Sequence, residues 1–107
     1  MAEKIVVEPG RTADLDTFDG DLVAGGNSVI KSKSGGPIVV TGTAKFKGDC
    51  NIHSNFQAKN VRGEDGRIHV LGDLTVDESI DVREGEVLVD GQAKAKEIDV
   101  ERRLTVK

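Results

Sequence analysis

From Ile38 onward, apolar residues recur as pairs separated by a single residue, and one pair follows another about every six residues. They are Ile38/Val40, Ala44/Phe46, Cys50/Ile52, Phe56/Ala58, Val61/Gly63, Ile68/Val70, Leu74/Val76, Ile80/Val82, Val87/Val89, Ala93/Ala95, Ile98/Val100 and Leu104/Val106. Successive pairs start 6, 6, 6, 5, 7, 6, 6, 7, 6, 5 and 6 residues apart. The i, i+2 spacing within a pair means a strand with one face inward. Returns at three and four, which a helix would need, are missing. A strand of three residues followed by a turn, repeated every six, is too short for a hairpin sheet and suits a coil bent through flat faces.

Taken in threes, the pairs make a rung of about eighteen residues, the mark of a solenoid. One face stacks Ile38, Phe56, Leu74 and Ala93; a second stacks Ala44, Val61, Ile80 and Ile98; the third stacks Cys50, Ile68, Val87 and Leu104. Gly20, Gly36, Gly42, Gly48, Gly66, Gly72, Gly85 and Gly91 each sit two residues before a pair or its equivalent. That phase places them at a corner, where a positive φ is cheap only for Gly. The expected fold is all-β: a single-domain right-handed parallel β-helix (solenoid) of about six rungs of ~18 residues, with three short strands per rung. At ~4.8 Å per rung it would be a rod of about 29 Å.

The handedness rests on side-chain size. Left-handed hexapeptide-repeat enzymes place a small residue two positions before each large aliphatic one. Here that position holds Ile38, Phe56, Ile68, Leu74, Ile80, Val87, Ile98 and Leu104. Two bulky inward side chains per face need a wider coil, which favours the right-handed form over the acyltransferase reading.

The first 35 residues are less regular. Ile5/Val7 and Leu22/Ala24 keep the pattern, and Val29 or Ile30 continues it. Arg11 to Asp19 mixes Leu15 and Phe18 with acids, and Lys31 to Gly36 (KSKSGG) reads as a loop or a poorly formed corner. Residues 1–35 are therefore expected to form irregular N-terminal rungs or a cap, with Phe18 over the first open rung. Residues 36–107 form the regular helix, continuous with it.

With 107 residues the chain suits one domain. A net charge of −4 argues against nucleic-acid binding, which needs a concentrated basic surface. No apolar run reaches the length of a membrane span, and Met1 to Glu8 lacks a signal-peptide core. The single cysteine, Cys50, cannot form an internal disulfide and fits a reducing compartment. The expected location is the cytoplasm.

Val40–Ile52 (VTGTAKFKGDCNI), Gly66–Val76 (GRIHVLGDLTV) and Gly85–Ala95 (GEVLVDGQAKA) together resemble the bactofilins, polymer-forming cytoskeletal proteins with a right-handed β-helical core. The resemblance covers roughly residues 36–107 and lies in the grammar of the repeat. It implies filaments assembled by end-to-end stacking, without nucleotide. The sequence departs from the family in having no Pro-rich tail. Only Ile5, Val6 and Val7 stand between N-terminal charges, which gives membrane association no support.

Polymerisation also follows from the repeat itself. The sequence ends at Leu104-Thr-Val-Lys107 still in phase, and an uncapped rung invites another chain. The self-assembly residues are expected to be Ile98, Val100, Leu104 and Val106 at one end and Ile5, Val7 and Phe18 at the other. The partner is a second copy of the chain, with no small-molecule substrate.

Chemistry finds little support. His53 and His69 point outward and out of phase, so no metal site is expected; a structural metal needs three or four converging ligands. Cys50 takes an inward slot, which suits an inert thiol rather than a nucleophile. No phosphate-binding glycine loop occurs, and stacking aromatics for a sugar groove are missing: aromatics are 3% of the chain. No catalytic residue, cofactor or metal is assigned. On the second face the outward residues Lys45, Arg62, Asp81 and Asp99 run from basic to acidic. Such a column either sets lateral contacts or is simply a solvated face. Val39 and Leu88 are outward apolar positions on the other two faces. The leading expectation is thus a self-assembling structural protein rather than an enzyme. A monomeric or small-oligomer β-helical scaffold that docks a partner is the alternative, and a β-helical enzyme is weaker still.

Overall fold

The computed structural model describes residues 3–33 and 35–106. These form strands β1 (Glu3–Val7), β2 (Thr12–Leu15), β3 (Thr17–Phe18), β4 (Gly20–Ala24) and β5 (Ser28–Ser32). The longer β6 (Ile38–Lys47) follows, then β7 (Cys50–His53), β8 (Phe56–Glu64), β9 (Arg67–Val70) and β10 (Leu74–Val76). The last five are β11 (Ser79–Arg83), β12 (Glu86–Val89), β13 (Ala93–Lys94), β14 (Glu97–Val100) and β15 (Arg103–Val106). There is no helix among the described residues.

Every pairing is parallel and joins a strand to the one a turn later, giving a β-solenoid of about six turns in one compact domain. The three columns expected from the repeat are the observed registers. Ile38 pairs with Phe56, Phe56 with Leu74 and Leu74 with Ala93 on the first face. Ala44, Val61, Ile80 and Ile98 line up on the second, and Cys50, Ile68, Val87 and Leu104 on the third. Because β6 and β8 bend through a corner without ending, the first two faces make one nine-stranded sheet, and the third is a separate six-stranded sheet. The bend falls where the β6–β8 register shifts, between Val40 and Thr43.

The early strands join the same columns. β1 pairs with β4, β2 with β5 and β3 with β6. Phe18 heads the column of Val40 and is half-buried. Ile30 to Ile52 spans 22 residues, whereas Ile52 to Val70 spans 18. The four extra residues lie in the Lys31–Pro37 stretch, of which Ser34 is outside the described residues.

The core is one continuous stack in which nearly every inward aliphatic side chain between β4 and β12 is fully buried. Phe46 stands in register with Gly63, where a Cβ would meet Ile68 and Val82. Two expectations need correction. First, the glycines share a phase but not a corner: Gly20 and Gly42 stand between the first and second faces, Gly48, Gly66 and Gly85 between the second and third, and Gly36, Gly72 and Gly91 between the third and first. Few need a positive φ. Gly48 does, at 88°. Gly91 instead lies so close to the previous turn that a Cβ there would run into the Asp73 carboxylate and meet the Gly72 carbonyl carbon at 3.0 Å. Clearance between rungs, rather than backbone sign, selects glycine at most of these corners. Second, the overall extents are 30 × 27 × 25 Å, a stubby prism rather than a rod. Its width matches its height because the inward pairs are bulky on all three faces.

Candidate functional site

The two ends of the stack differ from its middle in one respect: their strands pair on one side only among the described residues. At the C-terminal end β13 pairs with β10, β14 with β11 and β15 with β12. The repeat keeps its apolar phase into this turn, so residues that would be core one rung earlier stand at an open edge. Ile98 is 43% exposed where Ile80, its partner one turn back, is 0%. Val106 is 45% exposed where Val89 is 0%. Val100, Leu104, Ala93 and Ala95 are half-buried against the core.

The N-terminal end is better covered. Val7 is buried, and Ile5, Ala13 and Leu15 pack partly against the core. Phe18, also half-buried, begins the first face. The seven residues expected at the ends thus fall into two groups, one per end, and Ile98 and Val106 are the most exposed of them. Val6, not singled out by the repeat, is 58% exposed and points outward on β1. Its position between Ile5 and Val7 is the signal that gives its direction.

Corners carry a second regular feature. The Asn55 side-chain oxygen accepts the Asp73 backbone N–H at 2.9 Å, and Asp73 Oδ1 in turn accepts the Gln92 N–H at 2.9 Å. Asp49 does the same for Arg67 and Asp21 for Thr43, each at 2.8 Å. Asn and Asp at corners therefore satisfy the backbone donor one turn ahead, a use of these residues in turns that the sequence anticipates only in outline.

The outward charges form cross-rung pairs on the surface: Arg67–Glu86 at 3.1 Å, Lys59–Glu78 at 3.7 Å and Lys45–Glu64 at 4.0 Å. His69 Nε2 lies 3.1 Å from Asp90 Oδ1, a pairing between adjacent turns on the third face that pattern reading missed. His53 is exposed and offset from it, because Asn51, not His53, registers with His69. Among the described residues no three His, Cys, Asp or Glu side chains converge to hold a metal ion.

An open groove of about 660 Å³ runs along the corner after the second face, lined in part by Asp49, Asp65, Arg67, His69, Glu84 and Glu86. There the Glu84 carboxyl is held above its ordinary range, chiefly by a hydrogen bond with Asp65 and also by the negative charges of Asp65 and Glu101. Both Asp65 (φ 54°) and Glu84 (φ 52°) occupy the left-handed region in register with Gly48. Cys50 is buried, stacked between Ser28 and Ile68, with Sγ 3.4 Å from Ser28 Oγ and 3.3 Å from the Gly25 carbonyl. Burial pushes its thiol up from the ordinary value, the opposite of what a nucleophile needs. Ser28 is itself fully buried, in the inward slot that Cys50 and Ile68 fill on the next two turns.

A scan against protein-family models finds no match, and comparisons with curated proteins and with solved structures find none either.

Proposed function

We propose that the protein is a structural, self-assembling protein whose β-helical units stack end to end into filaments without a nucleotide. The observation that carries this reading is the contrast at the C-terminal rung: Ile98 and Val106 are 43% and 45% exposed in columns whose members one turn back are at 0%. Among the described residues these strands pair on one side only, and such an edge is a template for a further strand. A contact at each end of the unit extends into a filament. The likeness of Val40–Ile52, Gly66–Val76 and Gly85–Ala95 to bactofilin repeats supports the same reading and suggests a cytoskeletal role in the cytoplasm.

The test is negative-stain electron microscopy of the untagged protein over a concentration series, without nucleotide or metal. Filaments should form, and both Leu104→Arg and Val106→Arg should abolish them while circular dichroism shows the fold intact. Val106 is the safer site, being the more exposed. Uniform small particles at every concentration would overturn the proposal in favour of a monomeric or small-oligomer scaffold module.

A further inference from the structure

The second face carries charge in blocks rather than in alternation. Its central outward column, in register from strand to strand, is Val6, Val23, Lys45, Arg62, Asp81 and Asp99. Within one chain this order is a poor choice: Lys45 is paired to Arg62 and Asp81 to Asp99 on adjacent strands, and like charges directly opposite one another are destabilising. Alternating signs would suit the isolated fold better. The neighbouring column differs, alternating in sign through Lys47, Glu64 and Arg83, while the column on the other side is uncharged at its centre, at Asn60 and Ser79.

Blocks of opposite sign make sense opposite an inverted copy. Suppose two units meet face to face about a two-fold axis that lies along the strands and passes between Arg62 and Asp81. Then Arg62 faces the second copy's Asp81, and Lys45 faces its Asp99. The same operation brings Glu64 to the other copy's Arg83, and leaves Asn60 and Ser79 facing each other without charge. Turning the second copy so that both coils run the same way puts Lys45 on Lys45, Arg62 on Arg62 and Asp81 on Asp81. In the first arrangement the charges of the central column all meet opposite charges, and in the second they all meet like charges, which is how charge selects an orientation.

We propose that the second face is a self-complementary lateral interface on which two copies of this chain pair with their coils antiparallel. The contact is isologous, each copy offering the same patch. The two-fold axis between Arg62 and Asp81 overlaps four rungs, from Lys45 to Asp99, and a patch of about five residues by four rungs covers on the order of 300 Å² per copy from strand and rung spacings. The total, about 600 Å², is below that of a stable specific interface, so pairing should be weak and transient, at high micromolar concentration or above, and sensitive to salt. This surface lies on the side of the coil, apart from its open ends, and the proposal does not depend on stacking.

The experiment uses the full chain carrying Val106→Arg, which blocks the proposed end contact, in sedimentation equilibrium from about 20 to about 500 mM NaCl. A dimer should form at low salt and dissociate at high salt. Arg62→Asp should weaken it at least tenfold, and the charge-swapped Arg62→Asp/Asp81→Arg chain should recover affinity to within about threefold, because each copy then meets its complement again. In the chain without substitutions, zero-length carbodiimide cross-linking of mixed light and ¹⁵N-labelled protein should join Lys45 to Asp99 between copies. These two residues lie three rungs apart in one chain, about 14 Å, too far for an internal bond. A monomer at every salt concentration, an Arg62→Asp chain that pairs normally, a swapped chain that fails to recover or the lack of a Lys45–Asp99 cross-link between copies would each overturn the proposal. Antiparallel dimers without filaments in the unsubstituted chain would sustain it while refuting end-to-end assembly.

Discussion

The rings of Phe46 and Phe56 meet edge to face inside the coil, with centroids 6.0 Å apart and planes inclined at 67°. Phe46 enters from the second face and Phe56 from the first, so this contact ties two faces together across the corner where β6 and β8 bend. Both side chains are fully buried. Phe46→Ala should lower the stability measured by urea denaturation by about 3–5 kcal/mol, the transfer and cavity loss of a buried ring. A double-mutant cycle with Phe56→Leu should return about 0.5–1.5 kcal/mol of coupling. Additive losses would show that the rings are only neighbours.

Gly63 stands in register with Phe46 and borders Ile68 and Val82. A Cβ there would come within 2.8 Å of Ile68 Cδ1 and 3.2 Å of a Val82 methyl. The first is the flexible end of a side chain and can shift; the second belongs to a stiff, β-branched residue. Gly63→Ala should therefore destabilise by about 1–2 kcal/mol, near the low end for overpacking. Thermal unfolding of the variant tests this, and an unchanged Tm would mean that the column has slack.

Asp73 accepts one rung-to-rung hydrogen bond through its side chain and donates another through its backbone. Asp73→Ala removes the first and leaves the Gln92 N–H to water, so the loss should be about 1 kcal/mol. Asp73→Asn keeps an accepting oxygen and should be nearly neutral. Equal losses for the two would point to the charge rather than the hydrogen bond.

Glu84 sets a pH dependence. Its carboxyl is raised above the ordinary value of 4.5 by the hydrogen bond and negative charge of Asp65, with Glu101 adding to it. A group whose pKa is higher in the folded state than in the unfolded one contributes stability below its unfolded value. That contribution is lost as pH rises through the folded value. The wild-type protein should thus lose ground to Glu84→Gln as pH increases from about 4 to 7. Tm measured for both proteins across that window should diverge in favour of the variant, whereas a constant difference would discount the Asp65 contact.

Cys50 should be silent in the folded protein. Its thiol is buried and raised above its ordinary range, first by desolvation, and only the thiolate attacks an aromatic disulfide reagent. Labelling should be at least about a thousandfold slower under native conditions than in denaturant, since it requires an opening reaction of the order of global stability. Rapid native labelling would mean that the turn around Ser28 and Cys50 opens on its own.

Much of the fold was legible in the chain. The inward columns on all three faces, including the offsets of seventeen and nineteen residues in place of eighteen, follow from the apolar pairs, because a side-chain period of two and a fixed turn length leave one register that buries all of them. The glycine phase was visible too, but its cause was not. A sequence shows that Gly85 and Gly91 recur at corners; only the stacked turns show that a Cβ there would strike the rung beneath. Ser28 was invisible for a similar reason: a buried hydroxyl looks like a loop residue until Cys50 and the Gly25 carbonyl are placed beside it.

What the sequence by itself determined is the coil, its period and which residues face inward, since those depend on local alternation and on apolar burial that each turn repeats. What only the tertiary structure decided is everything that depends on separation across turns and around corners: the stubby shape, the His69–Asp90 pair, the left-handed Asp65 and Glu84, and how far the last rung stands open at Ile98 and Val106. Periodicity specifies order along the chain, whereas exposure and contact depend on distances between turns that no single turn contains.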